Sequence, residues 1–267
     1  MKLGLSSYTY GWAVGVPGHE PAVPLNEHGL LEKVRAHGLN LLQIGDNLPL
    51  HTFSTSRLQE FASDARSQKI ELEIGARRLV PEQLLCYANL ARSVGASLLR
   101  FVIDDAGYHP PVDEIIRVLR ENLSALDGLR LGVENHDRLK SSEFRHIIDS
   151  VGAENVGICL DTANSLGAGE DLQTVVAALA PVTLNLHIKD FQVKRLPHLM
   201  GFTVNGCPAG KGLLDIPRLL QSLASHGRCR SAILEQWTPP ELQIDQTVAR
   251  EDQWATESVA YLKPLFA

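Results

Sequence analysis

The chain alternates between short, largely apolar runs and longer segments in which apolar residues recur every three or four positions. Eight of the short runs are apolar almost throughout, which is typical of strands that are buried on both faces of a parallel sheet. The predicted strands are residues 3–8, 41–46, 70–76, 98–104, 129–135, 156–161, 184–190 and 231–236.

The longer segments have the spacing of amphipathic helices. In the clearest of them, Ile115, Ile116, Leu119 and Leu123 lie on one helical face. Several of these segments also end on a glycine, which is a common residue just after the last helical turn. The predicted helices are residues 29–38, 55–68, 81–95, 112–128, 141–152, 171–180 and 213–227.

Strands and helices alternate along the sequence, and this order predicts right-handed βαβ units and a parallel sheet. Eight such units close into a (β/α)₈ TIM barrel, so we predict that residues 1–267 form a single barrel domain of the α/β class. An open doubly wound sheet usually has a glycine-rich turn after its first strand, which SSYTYGW (6–12) does not match. The long connections 9–28 and 191–213 are expected to be functional loops.

Composition narrows the class of protein. The sequence is 44% hydrophobic and 21% charged, which is ordinary for a globular chain, and its net charge of −6 lacks the basic excess of nucleic-acid binders. The four cysteines are widely spaced, so neither a disulfide framework nor a structural zinc site is expected. No signal peptide and no membrane span is recognisable. We expect a cytoplasmic protein with a small-molecule substrate and without nucleic-acid or membrane partners.

Polar residues stand at the ends of four consecutive predicted strands. They are Glu134 in LGVENH, Asp161 in GICLDTAN, His187 in LNLHIKD and Glu235 in AILEQW. The carboxyl ends of barrel strands share one face, where three carboxylates and an imidazole would repel one another without a cation. The ligand set suits Mn²⁺, Mg²⁺ or Co²⁺, with Zn²⁺ as an alternative. Taken singly, each acidic residue could instead cap a helix or form a surface ion pair.

The ordered segments GVENHDR, GICLDTANSLG, LHIKDF and ILEQW resemble the xylose-isomerase-like TIM barrel superfamily of sugar isomerases and epimerases over essentially the whole chain. The resemblance implies that Glu134, Asp161, His187 and Glu235 bind one catalytic divalent metal ion. It also implies that Glu134 and Glu235 move protons on opposite faces of the substrate. RLPHLMGF (195–202) resembles a segment of decarboxylases of branched 3-oxo sugar acids, such as the 3-oxo-isoapionate decarboxylases.

Such a metal site stabilises an enediolate or enolate, and a carboxylate then moves the proton. Because the same electron sink serves decarboxylation, we expect a lyase acting on a 3-oxo sugar acid slightly more than a sugar isomerase or epimerase. Two features favour the acidic substrate. Many family members have D-x-x-H where this chain has Asn164, and basic residues such as Arg77 and Arg100 stand near strand ends. Arg100 itself should pair with Glu73 or with a group in the cavity.

Four further residues are candidates for contact with the substrate: Lys189, Arg195, Asn164 and His136. Lys189 follows the seventh strand and could instead form a supporting ion pair. Arg195 lies in the long loop after that strand and could clamp a carboxylate or simply face solvent. His136 could orient the neighbouring glutamate or cap the following helix.

Two other functional classes share these features in part. DNA-repair enzymes of the endonuclease IV type need additional histidines at the ends of the second to fourth strands, where this chain has IGDN, IGAR and VIDD. A non-catalytic sugar-binding protein would bind its ligand without turnover, and it would be expected to have lost a metal ligand. Barrels of this family often pair, so a homodimer is one expected assembly.

Overall fold

A computed structural model describes residues 1–266 of the chain. Eight of its strands are β1 (Lys2–Ser6), β2 (Leu41–Ile44), β3 (Glu71–Arg77), β4 (Leu98–Val102), β5 (Arg130–Glu134), β6 (Val156–Asp161), β7 (Thr183–Ile188) and β10 (Ser231–Leu234). They pair in the order β1-β10-β7-β6-β5-β4-β3-β2 and close into a parallel barrel. The predicted (β/α)₈ fold is confirmed, and each predicted strand overlaps one barrel strand.

The helices follow the predicted pattern with three differences, the first of which is a four-residue helix, Gly11–Val14, in a connection predicted as a loop. The segment 112–128 forms two helices, because the backbone leaves the helical region at Asn122. The longest helix, 19 residues that follow the last barrel strand, lies outside the predicted segments. Among residues 1–266, no helix is both long enough and apolar enough to cross a lipid bilayer. The helices are α1 (Gly11–Val14), α2 (Glu27–Ala36), α3 (Thr55–Ser67), α4 (Pro81–Val94), α5 (Val112–Glu121), α6 (Leu123–Leu126), α7 (Ser141–Val151), α8 (Leu172–Leu179), α9 (Ile216–His226) and α10 (Ile244–Leu262).

The long connection after β7 contains an antiparallel hairpin, β8 (Phe191–Arg195) and β9 (Phe202–Gly206), where the sequence predicted a loop. Asp190 fixes the base of this hairpin. Its two carboxylate oxygens accept hydrogen bonds from the backbone N–H groups of Phe191, Gly210, Gly212 and Leu214. The segment is therefore tied to the rim of the barrel at one buried carboxylate.

The interior of the barrel contains a column of buried polar side chains. Asn185 donates hydrogen bonds to Ser231 Oγ (2.8 Å) and to Glu73 Oε2 (3.2 Å), and Gln43 donates to the same Glu73 oxygen (3.0 Å). Burial raises the pKa of Glu73. This polar column replaces the apolar layers that usually fill a barrel, and it leads towards the strand ends.

Candidate metal centre and active site

Four side chains converge at the carboxyl ends of β5, β6, β7 and β10. His187 Nδ1 lies 3.4 Å from Glu235 Oε1, 3.6 Å from Glu134 Oε2 and 3.9 Å from Asp161 Oδ2. All four side chains are at most 4% exposed. The structure thus brings together every group that the sequence indicated as a metal ligand.

Gln43 determines which nitrogen of His187 is free. Its Oε1 lies 2.7 Å from His187 Nε2, while its own Nε2 donates to Glu73 and Asn185. Because an amide oxygen can only accept, His187 Nε2 carries the proton and Nδ1 has a lone pair. No described residue donates a hydrogen bond to that nitrogen. A lone pair that faces three carboxylates is favourable only when a cation lies among them.

The dimensions of the cluster fit one divalent ion. Ligand atoms about 2.1 Å from a shared ion lie roughly 3.0 Å apart at a right angle and roughly 3.4 Å apart at the tetrahedral angle. The three nitrogen–oxygen separations, 3.4 to 3.9 Å, are at or slightly above these values. Glu134 Oε2 and Asp161 Oδ2 have ion-pair contacts, to Arg100 Nε at 3.0 Å and to Lys189 Nζ at 2.8 Å. The residues that would hold the ion are Glu134, Asp161, His187 and Glu235.

Neighbouring groups hold two of these carboxylates in place. Asn164 Nδ2 donates to Glu134 Oε1 at 2.9 Å. Asp161 Oδ1 accepts hydrogen bonds from the backbone N–H groups of Ala163 and Asn164, both at 2.8 Å. Asn164, which stands where many family members have a histidine, therefore orients Glu134 from the turn that also fixes Asp161.

Lys189 bridges two of the carboxylates. Its Nζ lies 2.8 Å from Asp161 Oδ2 and 3.0 Å from Glu235 Oε2. Burial alone would raise the pKa of Glu235, but the positive charge around this carboxylate outweighs burial and lowers its pKa. Burial alone would lower the pKa of Lys189, but the surrounding carboxylates hold it well above its usual value. Glu235 and Lys189 are therefore both charged at neutral pH.

A second ionic cluster centres on Asp46, a residue that the strand-end pattern did not single out. Asp46 Oδ2 accepts hydrogen bonds from Tyr8 Oη at 3.0 Å and from Arg77 Nε at 2.9 Å. Its other oxygen accepts from Arg100 Nη1 at 3.0 Å. Burial and the Asp46 charge raise the pKa of Tyr8, so its phenol stays neutral. Asp46 thus fixes three side chains at the same face of the barrel.

Arg100 connects the two clusters. Its side chain is only 2% exposed, and its Nε lies 3.0 Å from Glu134 Oε2 while Nη1 contacts Asp46. The sequence allowed Arg100 to pair either with Glu73 or with a group in the cavity. In the structure Arg100 pairs with groups of the cavity, while Glu73 accepts hydrogen bonds from Gln43 and Asn185. Gly75 on the adjacent strand gives the guanidinium its room, since a Cβ there would lie 3.0 Å from Arg100 Cζ.

Groups from both clusters line a cavity of about 120 Å³ at the strand ends. A neighbouring cavity of about 390 Å³ shares Arg77, Val102 and His136 with it. A larger cleft of about 740 Å³ lies in the outer helical layer, where residues of α8 and α9 form its walls. The chemistry-bearing residues therefore belong to the small cavity and to its neighbour.

Three of the four predicted substrate-contacting residues, Lys189, Asn164 and His136, line the small cavity. The imidazole Nδ1 of His136 lies 2.7 Å from Asp137 Oδ1, so in this structure His136 is paired with its chain neighbour. Its position at the cavity wall leaves it available to a ligand through the other nitrogen.

Arg195 lies outside both cavities. It is exposed on the β8–β9 hairpin, where Nη1 donates to the backbone oxygen of Leu199 at 2.9 Å and the guanidinium lies 4.3 Å from the centre of the Phe202 ring. In this conformation Arg195 does not reach the cavity of the strand-end residues, and one of its donors, Nη1, is used within the hairpin.

Comparison with known proteins identifies the family of the chain. The family model described as "Xylose isomerase-like TIM barrel" matches residues 31–265. The chain is 32% identical over 266 residues to the 3-oxo-isoapionate decarboxylase of Pectobacterium atrosepticum, covering 98% of this chain and 95% of the relative.

Solved structures show the same fold. A xylose isomerase-like TIM barrel protein from Mycobacterium smegmatis in complex with magnesium has a TM-score of 0.72 at 16% identity, with 97% of each chain covered. D-psicose 3-epimerase with D-tagatose from Clostridium cellulolyticum H10 has a TM-score of 0.73 at 14% identity, with 99% of each chain covered. The chain belongs to the xylose isomerase-like TIM barrel family.

Proposed function

We propose that this protein is a divalent-metal-dependent enzyme that acts through an enolate or enediolate on a small keto sugar or keto sugar acid. Decarboxylation of a 3-oxo sugar acid is the preferred reaction. The observation that carries the proposal is the free Nδ1 of His187, which faces the carboxylates of Glu134, Asp161 and Glu235 at the strand ends. The 32% identity to a 3-oxo-isoapionate decarboxylase supports the choice of reaction.

In a decarboxylation of this kind, the bond between the carboxylate carbon and the adjacent carbon breaks. The electron pair moves onto the 3-oxo group as an enolate, CO₂ leaves, and the adjacent carbon takes up a proton. When bound, the divalent ion supplies Lewis acidity towards the developing enolate charge. The side chains of the cavity then have to orient the substrate, exclude water and deliver that proton.

Glu134 and Glu235 are the groups that we propose for the proton transfer. Both are buried, and the positive charge around Glu235 lowers its pKa, so this carboxylate is ionised at neutral pH. Lys189, whose ammonium group contacts Glu235 Oε2, is the acid closest to that carboxylate. The neutral phenol of Tyr8 is another hydrogen-bond donor on the cavity wall.

Epimerisation is the second candidate function, and one feature of the topology favours it. Glu134 and Glu235 end the strands β5 and β10, which are separated in the barrel by β6 and β7. The two carboxylates therefore approach the ligand cluster from opposite sides. An epimerase needs this arrangement, since one base removes a proton from one face of a carbon and another group returns it to the opposite face.

Metal analysis of the purified protein, followed by assays with 3-oxo sugar acids and ketoses, tests the proposal. About one divalent ion per chain together with CO₂ release would support the lyase. Ion binding with interconversion of ketoses only would support the epimerase, and ion binding with ligand but without any turnover would support a sugar-binding protein. No bound ion, and no activity after addition of Mn²⁺ or Mg²⁺, would contradict the proposal.

Glu235→Gln is the sharpest variant, because it changes one buried oxygen to nitrogen. We expect turnover to fall at least about a hundredfold, which is the lower range for loss of a general acid–base group, while thermal unfolding shows an intact fold. Glu32→Gln on the exposed face of α2 is the matched control and should behave like the wild type. Full activity of Glu235→Gln would contradict the assigned role.

A further inference from the structure

The basic side chains that line the small cavity differ in how closely carboxylates of the protein surround them. Arg100 contacts Asp46 and Glu134, and Lys189 contacts the two carboxylates beside it. These side chains are only 2% and 16% exposed, respectively. Their charges are therefore compensated within the protein, and both side chains are largely buried.

Arg77 is different, because it keeps its two terminal nitrogens free. Its Nε donates to Asp46 Oδ2 at 2.9 Å, and within residues 1–266 no group accepts a hydrogen bond from either Nη. The side chain is 38% exposed and lines both the 120 Å³ cavity and its 390 Å³ neighbour. Asp46 thus orients a guanidinium group whose outer N–H donors are available where the two cavities meet.

The charge of the two ionic clusters at the strand ends favours an anionic ligand once a divalent ion is bound. Four carboxylates and three basic side chains meet in the two clusters, so their net charge is −1 while His187 is neutral. A divalent ion reverses the sign of this net charge. A substrate with one negative charge then neutralises the site, whereas a neutral sugar leaves it positive.

We infer that Arg77 binds the carboxylate of a sugar acid through its terminal nitrogens and thereby makes the site selective for sugar acids over neutral sugars. The planar guanidinium group has the spacing of donors that a carboxylate accepts in pairs, which a hydroxyl group cannot match. This inference rests on the proposed function and names the substrate class of the same site.

Arg78 provides a matched control next to Arg77 in the chain. The left-handed backbone at Arg78 (φ 66°) turns the chain directly after β3. Its side chain is exposed, its guanidinium lies 5.3 Å from the centre of the Tyr108 ring, and it is not part of the wall of either cavity. Arg78→Met therefore removes the same charge from the neighbouring position without touching the site.

The test is calorimetric titration of the full-length protein, in the presence of Mn²⁺, with threonate and with the uncharged threitol. We expect the wild type to bind threonate at least about tenfold more tightly than threitol, and Arg77→Met to lose that preference while threitol affinity is unchanged. Arg77→Lys keeps the charge but not the paired N–H donors, so it should retain part of the preference for threonate. Arg78→Met should retain all of it.

Two results would overturn the inference. One is a wild type that does not prefer threonate, including one that binds neither ligand, and the other is Arg77→Met with the wild-type preference. Metal content measured on the same samples separates this failure from failure of the proposed function. A preference that depends on Arg77 in a protein that binds no divalent ion would leave the inference standing and refute the metal mechanism. CO₂ release by Arg77→Met with an unchanged KM would refute the inference and leave the proposed function standing.

Discussion

His187 can offer Nδ1 to a cation only while its other nitrogen keeps the proton. That proton is held by Gln43 Oε1 at 2.7 Å, and Gln43 is itself oriented by Glu73 and Asn185. A side chain from β2 thus decides the tautomer of a residue on β7. Outer partners of this kind fix the tautomer and the orientation of the ligating imidazole and thereby affect metal affinity.

Gln43→Leu should therefore weaken binding of Mn²⁺ about 10- to 100-fold, because His187 loses the acceptor that selects its tautomer. Titration of the metal-free protein with Mn²⁺ measures the effect, and circular dichroism checks that the variant is folded. Gln59→Leu on the exposed surface of α3 is the control. Equal Mn²⁺ affinities of the two variants would show that Gln43 does not set the tautomer.

The sequence predicted that Glu134, Asp161, His187 and Glu235 lie together, because the carboxyl ends of barrel strands must meet on one face. Asp46 also ends a predicted strand, 41–46, but the pattern did not select it. It follows β2 in IGDN, where an aspartate between glycine and asparagine is typical of a turn. Its partners Tyr8, Arg77 and Arg100 come from three other parts of the chain. Such a cluster depends on the register of neighbouring strands, which the sequence pattern does not give.

At the scale of elements, the hairpin β8–β9 depends on the single carboxylate of Asp190. Each of its oxygens accepts two backbone hydrogen bonds, from Phe191 and Leu214 on one side and from Gly210 and Gly212 on the other. An asparagine would keep one acceptor oxygen and place an NH₂ group against two N–H donors. The connection between β7 and α9 would then lose two of the four backbone hydrogen bonds that Asp190 accepts.

Asp190→Asn should lower the free energy of unfolding by about 2–4 kcal/mol, since two buried hydrogen bonds to a charged acceptor are lost. Urea denaturation measures this change. Asp127→Asn is a suitable comparison, because Asp127 is exposed and has a left-handed backbone (φ 42°) that asparagine tolerates well. The prediction would be wrong if both variants unfolded at the same urea concentration.

The hairpin β8–β9 and the helix α10 are two elements that the sequence pattern did not predict. Residues 191–195 and 202–206 alternate between apolar and polar side chains, a signal for strands, but no short turn such as Asn-Gly connects them. The last helix carries Val248, Ala255, Val259 and Leu262 among many charged residues, which dilutes its apolar face. The regular βα units were predictable because their buried strands are almost continuously apolar.

At the scale of the whole molecule, Glu251 joins the two ends of the chain. It lies on α10, is 1% exposed, and accepts hydrogen bonds from the backbone N–H groups of Trp12 and Ala13 on α1, each at 3.0 Å. Burial raises the pKa of Glu251 to about 7, and these two hydrogen bonds only partly oppose the shift. The folded protein therefore holds this proton more tightly than the unfolded chain does.

The stability contributed by this proton is fully present below the unfolded pKa of 4.5 and is lost as the pH rises through about 7. Between pH 5 and pH 8, Glu251 should reduce the free energy of unfolding by up to about 3 kcal/mol. Urea denaturation at both pH values should show a smaller difference for Glu251→Gln than for the wild type. Glu60→Gln, on the surface of α3, should keep the wild-type pH dependence.

The polar column inside the barrel also limits how this protein can be made more heat-resistant. Replacing Glu73, Gln43 and Asn185 together by apolar residues of similar volume would remove a buried ionisable group and its partners, a change that often raises the melting temperature. The same replacement would remove the hydrogen-bond acceptor that keeps the proton on His187 Nε2. Selection for thermostability alone would therefore tend to disrupt the proposed metal site from the inside of the barrel, without changing any of its proposed ligands.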